Sequence, residues 1–400
     1  MSAACAPSWS RALAAPSIRR FPASDGMLSA DARREFVLGL YQLPRRDGAM
    51  RDARSAGFNL LNLPPEPKAY DEAHALGIRG WSSVGSLPEG AGRAEAEQKM
   101  RATVGRLRRH PGLWFWETED EPTFVWTEPS KIRVPAERIV DTARFLRGID
   151  PDHPLYLNHS PTHLVPTLRG YNAASDIVAT DIYPVIPPGM REQYALWPDG
   201  RHGDLSDTGP GQVGRYADKM RAVAGPGRAV FMVLQGFAWE DLRGKDRDPA
   251  KVLYPTREQL RFMAWQSVIH GANGILWWGL AYLPPGAPLW DDLKAVVGEL
   301  SAVGAALAAP ATRRRLRVMY RDTGHSLDRG VEWILKPDGR GAVLAAVNAD
   351  PNPVDATFAG LEAYRLRESA SGNPPAGWDH GRLRERFEPF GTRVWRLSPA

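Results

Sequence analysis

Residues 113–122 read LWFWETEDEP, and the organisation of the whole chain follows from this stretch. Leu113–Thr118 reads as a strand, apolar from Leu113 to Trp116, and the carboxylates Glu117, Glu119, Asp120 and Glu121 crowd its end. Beyond a polar loop comes an amphipathic, helix-like stretch at Ala136–Gly148, then a second apolar run at Leu155–His159. The same unit of strand, loop and helix recurs on both sides. Upstream, strands are expected at Phe36–Gln42, Phe58–Leu63 and Ile78–Val84; downstream, at Ile177–Tyr183, Ala229–Phe237 and Gly274–Leu280. Helical periodicity is clearest at Ala91–Arg109, Val213–Val223, Arg257–His270 and Leu289–Leu307. Strands that alternate with helices in this number predict an α/β fold, a (β/α)8 TIM barrel. A doubly wound sheet would want a glycine-rich phosphate loop after its first strand, and none follows Phe36–Gln42.

Composition narrows the class. Of 400 residues, 43% are hydrophobic and 24% charged, as in an ordinary globular chain rather than a disordered one. No apolar run has the length of a membrane span. The single cysteine, Cys5, excludes a disulfide framework and any cysteine-based zinc site. A net charge of +5, spread along the chain with no basic and aromatic stripe, gives no footprint for nucleic acid. The 14 tryptophans are the unusual feature, because an indole at a cleft is a platform for the apolar face of a sugar ring. The opening residues, Met1 to Asp31, are rich in Ala, Ser and Pro and hold no apolar run as long as a secretory signal needs. The location is left open: cytoplasmic as the chain stands, secreted or periplasmic if a signal segment lies outside it.

After about residue 312 the helical period disappears. Short runs at Val331–Leu335, Ala342–Asn348, Thr357–Phe358 and Thr392–Leu397 are separated by turn-forming clusters. The expected division is an irregular segment over 1–34, the barrel over 35–311 and a small antiparallel β-sandwich over 312–400. A long Pro- and Gly-rich segment, 184–212, follows the sixth strand, where loops shape binding sites.

In a TIM barrel the working residues stand at the C-terminal ends of the strands. Four carboxylates in five residues there repel one another and resist burial, a cost that a function would justify. If the strand stays extended, Glu117, Glu119 and Glu121 share one face. The stretch resembles the fourth strand of the large (β/α)8 clan of retaining glycoside hydrolases, which includes cellulases, mannanases and β-galactosidases. There an apolar run and a Trp lead into an acidic-x-x-Asn-Glu-Pro ending whose Glu is the acid/base. The resemblance implies that Glu121 is the acid/base and that Asp120 replaces the Asn that contacts the sugar 2-hydroxyl. It also implies carbohydrate as the partner, with no cofactor and no metal.

The seventh strand departs from that pattern, because Gln235 stands where the clan has its nucleophilic Glu. An amide cannot form a glycosyl ester. Three explanations stay open. Another carboxylate takes the role, Asp181 being the best candidate with Tyr183 on the same face and Glu240 a weaker one. Or the 2-acetamido group of the substrate replaces the nucleophile, with Gln235 as its orienter. The alternation of Glu117, Glu119 and Glu121 loosely resembles the acidic motif of chitinase-like barrels. Or the chain binds sugars without cutting them. Further candidates for sugar contact are Glu119, Asn158 and His159, and the tryptophans Trp278, Trp239 and Trp197. Of the pair Trp277 and Trp278, alternation sends one to the barrel axis and one to the helical layer. The spacing of His159 and His163 matches a helical metal pair, but it spans a strand end and lacks an acidic partner.

Overall fold

The structure, a computed structural model, describes residues 21–125, 128, 131–188, 209–312, 314–321, 329–369 and 376–400. Eight parallel strands close into a barrel: β1 (Val37–Leu40), β2 (Leu60–Asn62), β3 (Arg79–Ser83), β4 (Leu113–Asp120), β5 (Leu155–His159), β6 (Ile177–Ile182), β7 (Ala229–Gln235) and β8 (Gly274–Trp278). Each strand pairs with the next in sequence, and β8 returns to β1 through Gly274 opposite Val37. Every expected barrel strand is present. The expected Leu289–Leu307 helix is broken into Leu289–Ala302 and Gly304–Ala308. Two helices beyond those named above, Ala49–Ala56 and Pro67–Ala75, cover the first two strand connections.

The strands are buried on both faces, which explains their nearly continuous apolar runs. Inward residues Val37, Leu60, Trp81, Phe115, Tyr156, Phe231 and Leu276 fill the barrel axis. Outward residues such as Leu157, Met232 and Trp277 join the helical layer. Within the segment read as irregular, Leu28–Ala30 and Arg33–Glu35 pair as a short hairpin, and Leu28 and Ala30 pack on the axial core. Capping is explicit where the sequence signals it: Thr256 and Gln259 form a reciprocal capping box at the start of the Arg257–Ile269 helix.

The chain ends in two antiparallel four-stranded sheets built from β9 (Arg317–Tyr320), β10 (Val331–Asp338), β11 (Gly341–Asn348), β12 (Val354–Ala359), β13 (Tyr364–Ser369), β14 (Gly377–Asp379), β15 (Arg382–Phe387) and β16 (Thr392–Pro399). Their orders are β9-β12-β15-β14 and β10-β11-β16-β13. Leu344, Phe358, Leu383, Phe387 and Trp395 form a separate core for this small β domain. It meets the barrel chiefly at the Arg257–Ile269 helix, where Arg261 donates to Glu299 at 2.7 Å and to the Thr392 carbonyl at 2.7 Å.

Candidate active site

The expectation that Glu117, Glu119 and Glu121 share a face fails at a β-bulge in β4. Opposite β5, Glu117 pairs with Tyr156 but Asp120 pairs with Asn158, so three steps on β4 answer two on β5. The extra residue reverses the alternation. Glu119 therefore leaves the cavity side, accepts from Ser86 Oγ at 2.6 Å and pairs with Arg133 at 3.0 Å. Asp120 takes the inward position. Glu121 follows in a left-handed backbone (φ 42°), a conformation uncommon for any residue but glycine, and its N–H is fixed by the Asn158 carbonyl at 3.0 Å. Arg133 holds the same turn from outside through the Asp120 and Glu121 carbonyls.

Asp120, Glu121, Asn158 and Asp181 meet at the floor of a cavity of about 230 Å³ on the C-terminal face of the barrel. Asn158 bridges two of the acids: its Nδ2 donates to Asp120 at 3.0 Å and to Asp181 at 3.3 Å. The Glu121 and Asp181 carboxyls are hydrogen-bonded to each other. Burial, and then the Asp181 charge, raise the Glu121 pKa well above the ordinary carboxylate range. Burial and the charge of Asp120 push Asp181 up to about 7. Asp120 stays exposed, its carboxylate oriented by the Asn158 hydrogen bond. The hydrogen bond that Glu121 and Asp181 share raises Glu121 and lowers Asp181, so it favours the proton on Glu121.

The walls are aromatic. Tyr183 stacks on Trp278 with centroids 5.7 Å apart, and Phe237 and Trp239 meet Tyr183 edge-on. Trp239 Nε1 donates to the Tyr183 carbonyl at 3.2 Å, which ties the loops after β6 and β7. Trp278 is the axial member of its pair, and Trp277 packs outward on Phe58. Seating Trp278 requires glycine at 236: a Cβ there would lie 2.7 Å from the Trp278 carbonyl oxygen, which accepts from the Gly236 N–H at 2.8 Å.

Other candidates lie elsewhere. Gln235 is fully buried below the cavity wall. Its Oε1 accepts from the Val185 N–H at 2.9 Å, and its Nε2 donates to the Val185 and Phe237 carbonyls at 3.0 Å each. It clamps two loops and has no group left for a substrate. His159 points into the helical layer against Tyr171, with both ring nitrogens unpartnered, and burial lowers its pKa to about 3. It is a neutral core histidine. His163 bonds the Thr123 carbonyl at 3.0 Å, and no metal-binding group of three ligands occurs among the described residues. Glu240 is buried against Asp248 N–H at 2.7 Å, away from the cavity. Trp197 and most of the 184–212 segment lie outside the described residues.

Four contributors carry no assigned role in the sequence. Tyr41 lines the cavity and shares a hydrogen bond of 2.7 Å with Tyr156, and Phe237 lines it as well. Strand alternation was the available signal, since Tyr41 follows Gly39 and Phe237 follows Gln235 by two. Glu117 lies just beneath, 3% exposed, with Oε2 accepting from Trp81 at 3.3 Å and Oε1 unpartnered; burial and Asp120 raise its pKa strongly. Arg133 had no sequence signal.

No protein-family profile and no curated protein sequence matches the chain. Solved structures do. A glycoside hydrolase superposes with TM-score 0.60 over 94% of this chain and 96% of its own, at 14% identity. A glycoside hydrolase family 5 protein from Bacteroides vulgatus ATCC 8482 gives TM-score 0.60, covering 94% and 92%, at 13% identity. A family 42 β-galactosidase from G. stearothermophilus gives 0.54, covering 92% and 98%, at 10% identity. The barrel and its terminal β domain therefore share the fold of TIM-barrel glycoside hydrolases.

Proposed function

We propose that the chain is a glycoside hydrolase in which Glu121 is the general acid and Asp181 its partner. The observation that carries this is the carboxyl–carboxylate hydrogen bond between Glu121 and Asp181 at the floor of an aromatic cavity, on the barrel face where the strands end. Opposite protonation states on adjacent acids are what acid and nucleophile require. Glu121 gives its proton to the glycosidic oxygen as the C1–O bond breaks, and Asp181 attacks C1 to form a glycosyl ester. Water, deprotonated by Glu121, then cleaves the ester and restores both groups. Retention wants the carboxyls about 5 Å apart and inversion about 6.5–9.5 Å, so a pair in contact opens less for retention.

The same contact favours a second reading. An acid hydrogen-bonded to its neighbour is also suited to substrate assistance, in which a 2-acetamido oxygen attacks C1 and Asp181 orients it. Sugar release from a panel of aryl glycosides and polysaccharides, with Glu121→Gln beside the parent protein, is the test. Release that vanishes in a folded, sugar-binding variant supports the hydrolase. Release confined to 2-acetamido substrates selects assistance, and binding without release by either protein leaves a carbohydrate-binding barrel.

A further inference from the structure

The cavity has acid without base. Asp120, Glu121 and Asp181 line it, and no described lining residue is Lys, Arg or His. Arg133, the nearest cation on this segment, directs its guanidinium to Glu119 and to main-chain carbonyls and lines no part of the cavity. The described lining thus offers three carboxyl groups and no cation to balance them. Burial raises Glu121 and Asp181, while Asp120 stands exposed beside them, open to a bound cation. Asn158, only 3% exposed, spends its Nδ2 on holding Asp120 and Asp181 in place at the cavity. The floor is thus rich in acceptors and needs donors. Its walls suit the same ligand, because the faces of Tyr183, Trp239 and Trp278 attract cations as well as sugar rings.

Position identifies which sugar atom meets Asp120. Glu121 and Asp181 locate the anomeric carbon, and Asp120 is linked to Asp181 through the Asn158 amide. The anomeric carbon has two ring neighbours. One is the ring oxygen, which holds only lone pairs and is repelled by a carboxylate. The other is C2, whose substituent can donate. We infer that the cavity selects glycosides of 2-amino-2-deoxy sugars, whose C2 ammonium is held by Asp120 against the aromatic wall. This rests on the hydrolase reading only for the location of C1; the preference itself is a matter of binding.

The test uses the full chain carrying Glu121→Gln, which suspends turnover. Calorimetric titration at about pH 6, below the pKa of a sugar amine, compares methyl glycosides bearing 2-amino, 2-hydroxy or 2-acetamido groups with a methyl hexuronide, in gluco and galacto series. The 2-amino sugar is expected to bind roughly 10- to 100-fold more tightly than its 2-hydroxy counterpart, as one hydrogen bond to a charged group gives. The uronide should bind most weakly. Adding Asp120→Asn should bring the 2-amino to 2-hydroxy ratio close to one, while retained binding of the neutral sugar shows that the variant is folded. Equal or tighter binding of the neutral or acetylated sugar, binding of no sugar, or a ratio unchanged by Asp120→Asn would overturn the inference. Selective binding of amino sugars by a parent protein that releases nothing would refute hydrolysis alone. Hydrolysis of neutral glycosides without amino preference would refute the inference alone.

Discussion

Replacing Gln235 by Glu separates the two ways of viewing this barrel. If the chain is a hydrolase that has merely lost the usual seventh-strand nucleophile, the change restores it. The structure gives the opposite expectation. Gln235 donates two hydrogen bonds, to the Val185 and Phe237 carbonyls at 3.0 Å each, and accepts one from the Val185 N–H at 2.9 Å, with no exposed surface. An ionised Glu donates nothing and faces two carbonyl oxygens. A protonated Glu donates once, which leaves one buried carbonyl unpaired at about 1–3 kcal/mol. The new carboxyl must also stay protonated in the fold. Its folded pKa lies above its unfolded value near 4.3, so this extra cost is absent below about pH 4. It grows by about 1.4 kcal/mol per pH unit until the folded pKa is passed. Against a total stability on the order of 5–15 kcal/mol, a loss of this size is easily measured. Urea unfolding followed by tryptophan fluorescence should give a lower midpoint for Gln235→Glu at pH 5 and a much lower one at pH 8, with no gain in sugar release. A variant as stable as the parent at both pH values, or one that hydrolyses faster and no longer needs Asp181, would refute the clamp.

Three further outcomes follow from the same geometry. On the proposed mechanism hydrolysis needs Asp181 ionised and Glu121 protonated, so kcat/KM should rise through about pH 7 and fall once Glu121 ionises; Asp120→Asn removes a charge that raises Asp181 and should move the rising limb to lower pH, as a pH–rate profile would show. Glu119→Gln should keep sugar release within about tenfold of the parent, because Glu119 faces Arg133 and Ser86, whereas Asp181→Asn should lower it by about 100-fold or more, both read from initial rates. His270 meets Asp218 at 3.0 Å and, across the barrel–β-domain junction, Glu332 at 3.0 Å, near Gln266 and Arg329; burial lowers its pKa but the two carboxylates outweigh that and raise it. The ion pairing is present in full below His270's unfolded pKa and is lost as pH rises through the folded value, so His270→Ala should reduce stability by about 1–2 kcal/mol at pH 6 and less at pH 9 in thermal melts.

The sequence by itself determined the frame. Alternating apolar runs and amphipathic stretches defined every barrel strand, because buried parallel strands must be apolar on both faces and their connecting helices on one. Alternation alone also placed Asp181 and Tyr183 on one face and split Trp277 and Trp278 between axis and helical layer, since β6 and β8 run without a bulge, while only the structure showed that Trp278 is the inward one. Tertiary structure decided the rest. The bulge in β4 is defined by pairing with β5, a partner more than thirty residues away, and it exchanged Glu119 for Asp120 at the cavity. The fates of Gln235 and His159 depended on what packs around them: two loop carbonyls in one case, Tyr171 in the other. The raised pKa of Glu121 arises only where β4 and β6 bring two carboxyls together at the cavity floor. Local sequence fixes the direction of a side chain while its strand stays regular. Which groups meet, and which of them holds the proton, is set by barrel closure, because contact and burial belong to residues distant along the chain.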